Sequence, residues 1–193
     1  MKKYLKYIII LILVLLIILI AYYARNYILL QRYSTEIKSN NYYMSKSSYN
    51  FDEVHKTEKY YKDGKMIVNV YYGDIKYTIY QDENNIKMIN NDGKIIKDEK
   101  YIPKTDLDPN NKTLIGASIG RALSVKITSE ICNGKECYLF EHNKIRVWVE
   151  KETGLVIREI SEISSNNNNE FDVVTDYTYT FDNVTDEQVK EPQ

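Results

Sequence analysis

From Tyr7 to Ala24 the chain carries no charged residue, and Ile8 to Ala21 is almost entirely isoleucine, leucine and valine. As a helix rising ~1.5 Å per residue, a run of about 18 residues covers roughly 27 Å, close to the ~30 Å hydrocarbon core of a bilayer. Tyr4 and Tyr7 flank one end, and Tyr22, Tyr23 and Tyr27 the other. These are the depths at which amphipathic rings settle. A buried helix of a soluble domain would need apolar cover on every side. The segment therefore reads as a transmembrane helix. Lys2, Lys3 and Lys6 hold a short N-terminus inside the cell, against the weaker opposing pull of Arg25 and Arg32.

A cleaved signal peptide is the competing reading, and it wants small residues at −3 and −1. Cleavage after Ala24 would put Tyr22 at −3, and cleavage after Ala21 would put Leu19 there. No cysteine follows the run to take a lipid. The expected organisation is a cytoplasmic tail over 1–6, a single-pass helix over 7–24, and a juxtamembrane helix and linker over 25–50. An extracytoplasmic β domain over 51–185 and an acidic tail over 186–193 complete it. A tail of about six residues is too short for a catalytic or DNA-binding module, so any inward signal would pass through a partner.

The chain has 193 residues and a formal net charge of −1; less the three N-terminal lysines, the remainder carries −4. That balance offers no basic surface for nucleic acid. Beyond the apolar run there is room for one domain of ordinary size.

Asn26 to Lys38 continues as a helix, with Ile28, Leu29, Tyr33 and Ile37 near helical spacing. Ser39 to Tyr49 fits either a linker or a first strand. The period then changes to two. Met66, Val68, Val70 and Tyr72 alternate with polar or outward residues, and so do Ile75, Tyr77 and Ile79 after a Gly73-Asp74 turn. Asn84-Asn85 and Asn91-Asp92-Gly93 mark further turns. Lys112 to Leu123 suits a short helix weakened by Gly116 and Gly120. Val125 to Ile163 reads as successive hairpins, with Phe140 opposing Val147 and Glu141 opposing Arg146 across an Asn143-Lys144 loop. Phe171 to Phe181 is the last long strand. Nine or ten short strands with Gly/Asn/Asp turns and one or two helices predict an α+β, mainly β fold. The form expected is a curved antiparallel sheet, an unclosed half-barrel, with a helix packed on it.

Cys132 and Cys137 are the only cysteines. With Gly134-Lys135 as the loop they oppose each other in a non-hydrogen-bonded pair, ~4.5–5.5 Å between Cα atoms, which a disulfide can bridge. An oxidising exterior permits that bond. Two free thiols and half of a metal site are the alternatives. Zinc would need two more ligands, and only His55 and His142 are present as histidines. The structural disulfide is the expectation, with no metal and no cofactor.

Gly116-Ala117-Ser118-Ile119-Gly120 matches G-x-S-x-G, whose serine needs a strand-to-helix elbow over a parallel sheet. An antiparallel meander does not supply it, so no catalytic residue is assigned. Glu141-His142 lacks the rest of H-E-x-x-H. Trp148 opposes Leu139 on the face away from the main apolar stripe, and Tyr71 and Tyr80 also point off that stripe. These four are the candidate ligand-binding residues: a sheet apolar on both faces covers one with a helix and leaves the other for an apolar ligand, a partner, or a loop.

Three strings carry a family resemblance: Asn133-Gly134-Lys135-Glu136-Cys137-Tyr138, Trp148-Val149-Glu150-Lys151-Glu152-Thr153-Gly154-Leu155, and the ending Tyr177 to Val189. With these the chain resembles bacterial extracytoplasmic proteins with the fold of the outer-membrane lipoprotein carrier LolA. The resemblance covers about a third of the chain closely. It implies a curved, unclosed antiparallel barrel around a helix, often with an apolar cavity for acyl chains. An uncleaved anchor and a hairpin cysteine pair set this chain apart, and a tethered protein does not ferry cargo freely. The expected function is a non-enzymatic, anchored binding domain for a lipid, an acylated ligand or an envelope protein. The alternative is an accessory or regulatory subunit of a membrane complex.

Overall fold

A computed structural model of the protein describes residues 2–33, 37, 39–50, 53–100, 118–164 and 170–192. One helix, α1 (Lys2–Tyr33), runs without a break from the N-terminus through the apolar segment and into the folded domain. At ~1.5 Å per residue it is roughly 48 Å long. Its stretch Tyr4–Tyr33 is long and apolar enough to cross a membrane. Every side chain from Tyr7 to Ile20 is exposed, on all sides of the helix. An all-round apolar surface of that kind suits lipid rather than water.

The last turns of α1 behave differently. Asn26, Leu30 and Tyr33, spaced i, i+4 and i+7, are 0%, 1% and 5% exposed. The buried stripe is thus shifted from the expected one: Leu29 packs at its edge, whereas Ile28 faces out at 62% exposure.

Eleven strands form one antiparallel sheet. The first six are β1 (Asn41–Asn50), β2 (Glu53–Lys62), β3 (Lys65–Tyr72), β4 (Ile75–Gln81), β5 (Asn85–Ile89) and β6 (Ile95–Lys100). After a short helix α2 (Ile119–Ser124) come β7 (Lys126–Cys132), β8 (Lys135–His142), β9 (Ile145–Glu150), β10 (Val156–Ser164) and β11 (Glu170–Phe181). The spatial order is β6-β5-β4-β3-β2-β1-β11-β10-β9-β8-β7. Two meanders therefore run outward from a central seam, where the first strand pairs with the last, Tyr42 opposite Phe181 and Tyr49 opposite Val174.

The mainly β, unclosed architecture is as the sequence predicts, with two differences in detail. Of the two readings of the stretch after α1, the strand is the one formed, over Asn41–Asn50, although the expected domain boundary places these residues in a linker. An Asp63-Gly64 turn, with φ of 47° and 83°, separates β2 from β3. Two consecutive positive φ values are what a two-residue type I′ hairpin demands.

Leu30 and Tyr33 pack with Ala122, Val125, Ile127, Phe140, Val147, Val149 and Val156. That cluster defines the helix-bearing face of the sheet. Gly154 (φ 75°) lies so close to Tyr33 that a Cβ there would come within 3.3 Å of the ring. At the other half of the sheet Met66, Ile67, Val68, Tyr80, Ile86 and Ile89 are buried. The acidic C-terminal stretch packs there through a 3-10 turn at Asp186–Val189, burying Val184 and Val189. Lys62 meets Asp186 at 2.8 Å, and Lys87 meets Glu191 at 3.1 Å.

Candidate functional site

The β7–β8 hairpin turns on Asn133-Gly134, with φ of 51° and 76°, and not on Gly134-Lys135. Asn-Gly is the strongest short sequence for a type I′ turn, and by moving the loop one residue it shifts the pairing two residues from the expected register. Cys132 then opposes Lys135, and Glu130 opposes Cys137. The two cysteines share a face but sit diagonally, ~7–8 Å apart, beyond the usual span of a disulfide. The expected disulfide is not formed, and both are free, buried thiols. Burial pushes both thiol pKa values up, which keeps them protonated and unreactive.

Trp148 opposes Leu139, as read from the sequence, and Arg158 lies on its other side. Both Leu139 and Trp148 are buried, in a cluster with Cys132, Cys137 and Ile157. The indole Nε1 donates to the Glu130 carboxylate. Tyr71 is half-buried and donates to Glu58 Oε2 at 3.0 Å, while Glu58 Oε1 holds Lys56 at 2.7 Å. Tyr80 is buried and donates to Asp82 Oδ2 at 3.1 Å; burial and that carboxylate push its phenol up to about 12. All four residues lie on the face opposite α1. They do not converge: five strand-to-strand steps, roughly 24 Å, separate Tyr71 from Trp148. Long side chains of the sheet itself and the C-terminal stretch cover this face, while α2 packs on α1 instead.

The residues that do converge are on the helix-bearing face at the central seam. Tyr177 and Tyr179 stack with planes 7° apart and centroids 6.5 Å apart. Tyr42 and Tyr61 meet at 5.2 Å. Lys46 Nζ sits 5.8 Å above the Tyr177 ring. Beneath this ladder lies a buried polar group. Tyr177 donates to Glu159 Oε2 at 3.1 Å, Ser161 donates to Glu159 Oε1 at 2.9 Å, and Ser48 and Thr175 hydroxyls meet at 3.0 Å. Burial first, then the Glu159 charge, raises the Tyr177 phenol well above its ordinary value. Tyr177, Tyr179 and Phe181 alternate onto this one face of the last long strand. Glu159, Ser161 and Thr175 were legible only as alternate positions on strands whose register was not fixed.

A cleft of about 310 Å³ opens at the end of this ladder. It exists because β10 shifts register between Val156 and Arg158. The β10 ladder on β11 runs only from Arg158 to Ser164, so the turn after β9 diverges from the end of β11. Leu155 and Ile157 form one wall, Tyr177, Tyr179 and Phe181 the other, with Lys135 and Glu150 at the mouth. Lys135 pairs with Glu150 at 3.0 Å, and Thr153 donates to the same carboxylate at 2.7 Å.

Ser118, the serine of the G-x-S-x-G string, caps α2: its Oγ accepts from the Arg121 amide at 3.1 Å. Gly116 and Ala117 lie outside the described residues. His142 is half-buried opposite Ile145, with Nδ1 3.1 Å from Ser124 Oγ.

No protein-family model and no curated protein matches the sequence. Solved structures similar to it include MucB in complex with the periplasmic part of MucA, at 9% identity and a TM-score of 0.43 over 79% of this chain. The Pseudomonas aeruginosa MucA/MucB complex is similar at 8% identity and a TM-score of 0.43 over 88% of this chain. The chain spans 54% and 59% of the lengths of those two proteins.

Proposed function

We propose that the protein is an anchored accessory component of a cell-envelope assembly. Its domain is held outside the membrane, and the tyrosine seam with its cleft docks a segment of a partner protein. The reading is one of binding and not of catalysis. The observation that carries it is the fate of α1. The helix that leaves the apolar span becomes part of the domain core, so the helix-bearing face at β7–β9 is filled by the chain itself. A half-barrel whose interior is occupied by its own anchor offers little room for an acyl chain there. It does hold a recognition surface at a fixed height over the bilayer, as suits a subunit that must meet a membrane-bound partner.

The seam has the composition of a protein-binding surface: half-buried Tyr61, Tyr177 and Tyr179 around the fully buried Tyr42, backed by hydrogen-bonded polar groups, with an apolar slot beside them. A small apolar ligand in the cleft is the second reading, favoured by its walls of Leu155, Ile157, Tyr177 and Phe181. At about 310 Å³ the cleft is at the lower limit for small-molecule sites.

A photo-crosslinker placed at Tyr179 of the full-length protein in its native membrane tests the proposal. One discrete protein adduct, lost when the crosslinker is moved to Ile131, is the expected result. Lipid adducts alone would transfer the assignment to the second reading, and no adduct would overturn both.

A further inference from the structure

The short helix α2 is fastened to α1 at a defined height. Asn26 Nδ2 donates to the carbonyls of Val125 and Ala122 at 3.2 Å and 3.4 Å. Ala122 is buried against α1, so the opposite side of α2 turns outward. There Ile119 and Leu123, spaced i, i+4, are 74% and 53% exposed. Asn26 lies two residues beyond Ala24, the end of the charge-free run, which is about 3 Å at ~1.5 Å per residue. The polar headgroup layer extends roughly 5–7 Å beyond the hydrocarbon on each side. Lys126, the next residue after the α2 cap, lies within electrostatic reach of Tyr22. Both neighbours of α2 thus belong to the level where α1 crosses the interface.

The rest of the domain shows the same polarity. The strand end that holds the start of β7 also holds the tips of the β1–β2 and β3–β4 hairpins. Tyr49 opposes Val54 at the first tip, and Tyr72 opposes Ile75 at the second; all four are 46–52% exposed. Apart from Ile131 and Phe181, the large exposed apolar side chains of the described domain lie at this end.

We infer that this end of the domain is a second membrane contact, in which α2 inserts Ile119 and Leu123 into the outer leaflet beside the α1 exit. The occupant is the bilayer that α1 itself spans, because the apolar surface of α2 continues that of α1 at the same depth. Interfacial helices bury an apolar face ~5–10 Å into the headgroup–acyl boundary. A single helix would let the domain swing and spin, whereas a second contact fixes its tilt. The inference rests on α1 being the anchor.

The test uses the full-length chain in phosphatidylcholine/phosphatidylglycerol nanodiscs, in a Cys132→Ala/Cys137→Ala background. Single spin labels are placed through Leu15→Cys, Ile119→Cys, Leu123→Cys and Ile131→Cys. Relative accessibility to oxygen and to a water-soluble nickel chelate reads depth. Labels at 119 and 123 are expected to give lipid-like ratios near that of position 15, and 131 an aqueous one. Aqueous ratios at 119 and 123 with a lipid-like ratio at 15 would overturn this inference and leave the anchor standing. An aqueous ratio at 15 would remove the anchor and the inference together. A lipid-like ratio at 131 would show that contact is not confined to this end, which also overturns it. Unchanged melting of each labelled protein in detergent verifies the fold.

Discussion

The amide of Asn26 donates to the carbonyl of Val125 at 3.2 Å, joining the helix that leaves the apolar span to the residue that ends α2. Asn26 is fully buried, and its second bond goes to Ala122. These two bonds satisfy carbonyls at the C-terminal end of α2, which has no further turn to receive them. Asn26→Ala should leave buried carbonyls without donors and cost about 1–3 kcal/mol. Thermal unfolding of the full-length protein in micelles reads the loss. A melting temperature equal to that of the parent would mean that α1 and α2 are not joined here.

Trp148 is the sole tryptophan and is 8% exposed between Leu139 and Arg158. Trp148→Ala should cost about 3–5 kcal/mol, the usual range for emptying a large buried aromatic site. Trp148→Phe should cost about 1 kcal/mol, because it keeps most of the packing and gives up only the bond to Glu130, whose carboxylate is exposed enough to regain water. Urea titrations of the two variants separate packing from the hydrogen bond. Equal losses would show that the bond matters more than the ring.

Thiol titration tests the hairpin register. Without reductant, the folded protein should react slowly with a thiol reagent, and the unfolded protein should reveal both Cys132 and Cys137. Failure of either thiol to appear on unfolding would restore the disulfide and the register that goes with it.

Glu150 sits at the mouth of the cleft, 8% exposed. Burial raises its carboxyl pKa, but the Thr153 hydroxyl and Lys135 outweigh that and hold it below 4.5. A carboxylate with a depressed folded-state value contributes stability that is complete above its unfolded value. That stability is lost as pH falls through the folded one. Stability should therefore decline below about pH 4.5 in the parent. Glu150→Gln should start lower at pH 7 and show a shallower decline. An unchanged acid limb in urea titrations at stepped pH would assign the decline to other carboxylates.

Hairpins with strong turn dipeptides and clean alternation were readable in the sequence. The Phe140–Val147 and Leu139–Trp148 pairings follow from a two-residue Asn143-Lys144 loop, and they are present. At the Asn133-Gly134 hairpin the sequence is ambiguous, because Gly134-Lys135 also gives a plausible loop. Moving the loop by one residue shifts the pairing by two, which exchanges direct for diagonal neighbours without moving either cysteine off its face. The pairing of β1 with β11 was not legible, since nothing local in Asn41–Asn50 names a partner more than a hundred residues away. The candidate site followed the same rule. Trp148 and Leu139 were correctly paired, but the buried Glu159–Tyr177 contact depends on the β10–β11 register, and the Ser48–Thr175 contact crosses the long-range seam. The C-terminal acidic residues are solvent-exposed, but the docking of their stretch through Val184 and Val189 was not legible, because the lysine partners Lys62 and Lys87 belong to distant hairpins.

The seam also sets an order of events during synthesis. Each meander can zip up from its own hairpins as it emerges. Their union waits for β11, because β1 finds its second neighbour only among residues 174–181. Until then β1 stands as an open edge, able to accept a strand from another chain. For a chain anchored by α1, as proposed, that interval would be spent at the membrane surface, where covering one early strand would guard against pairing between copies.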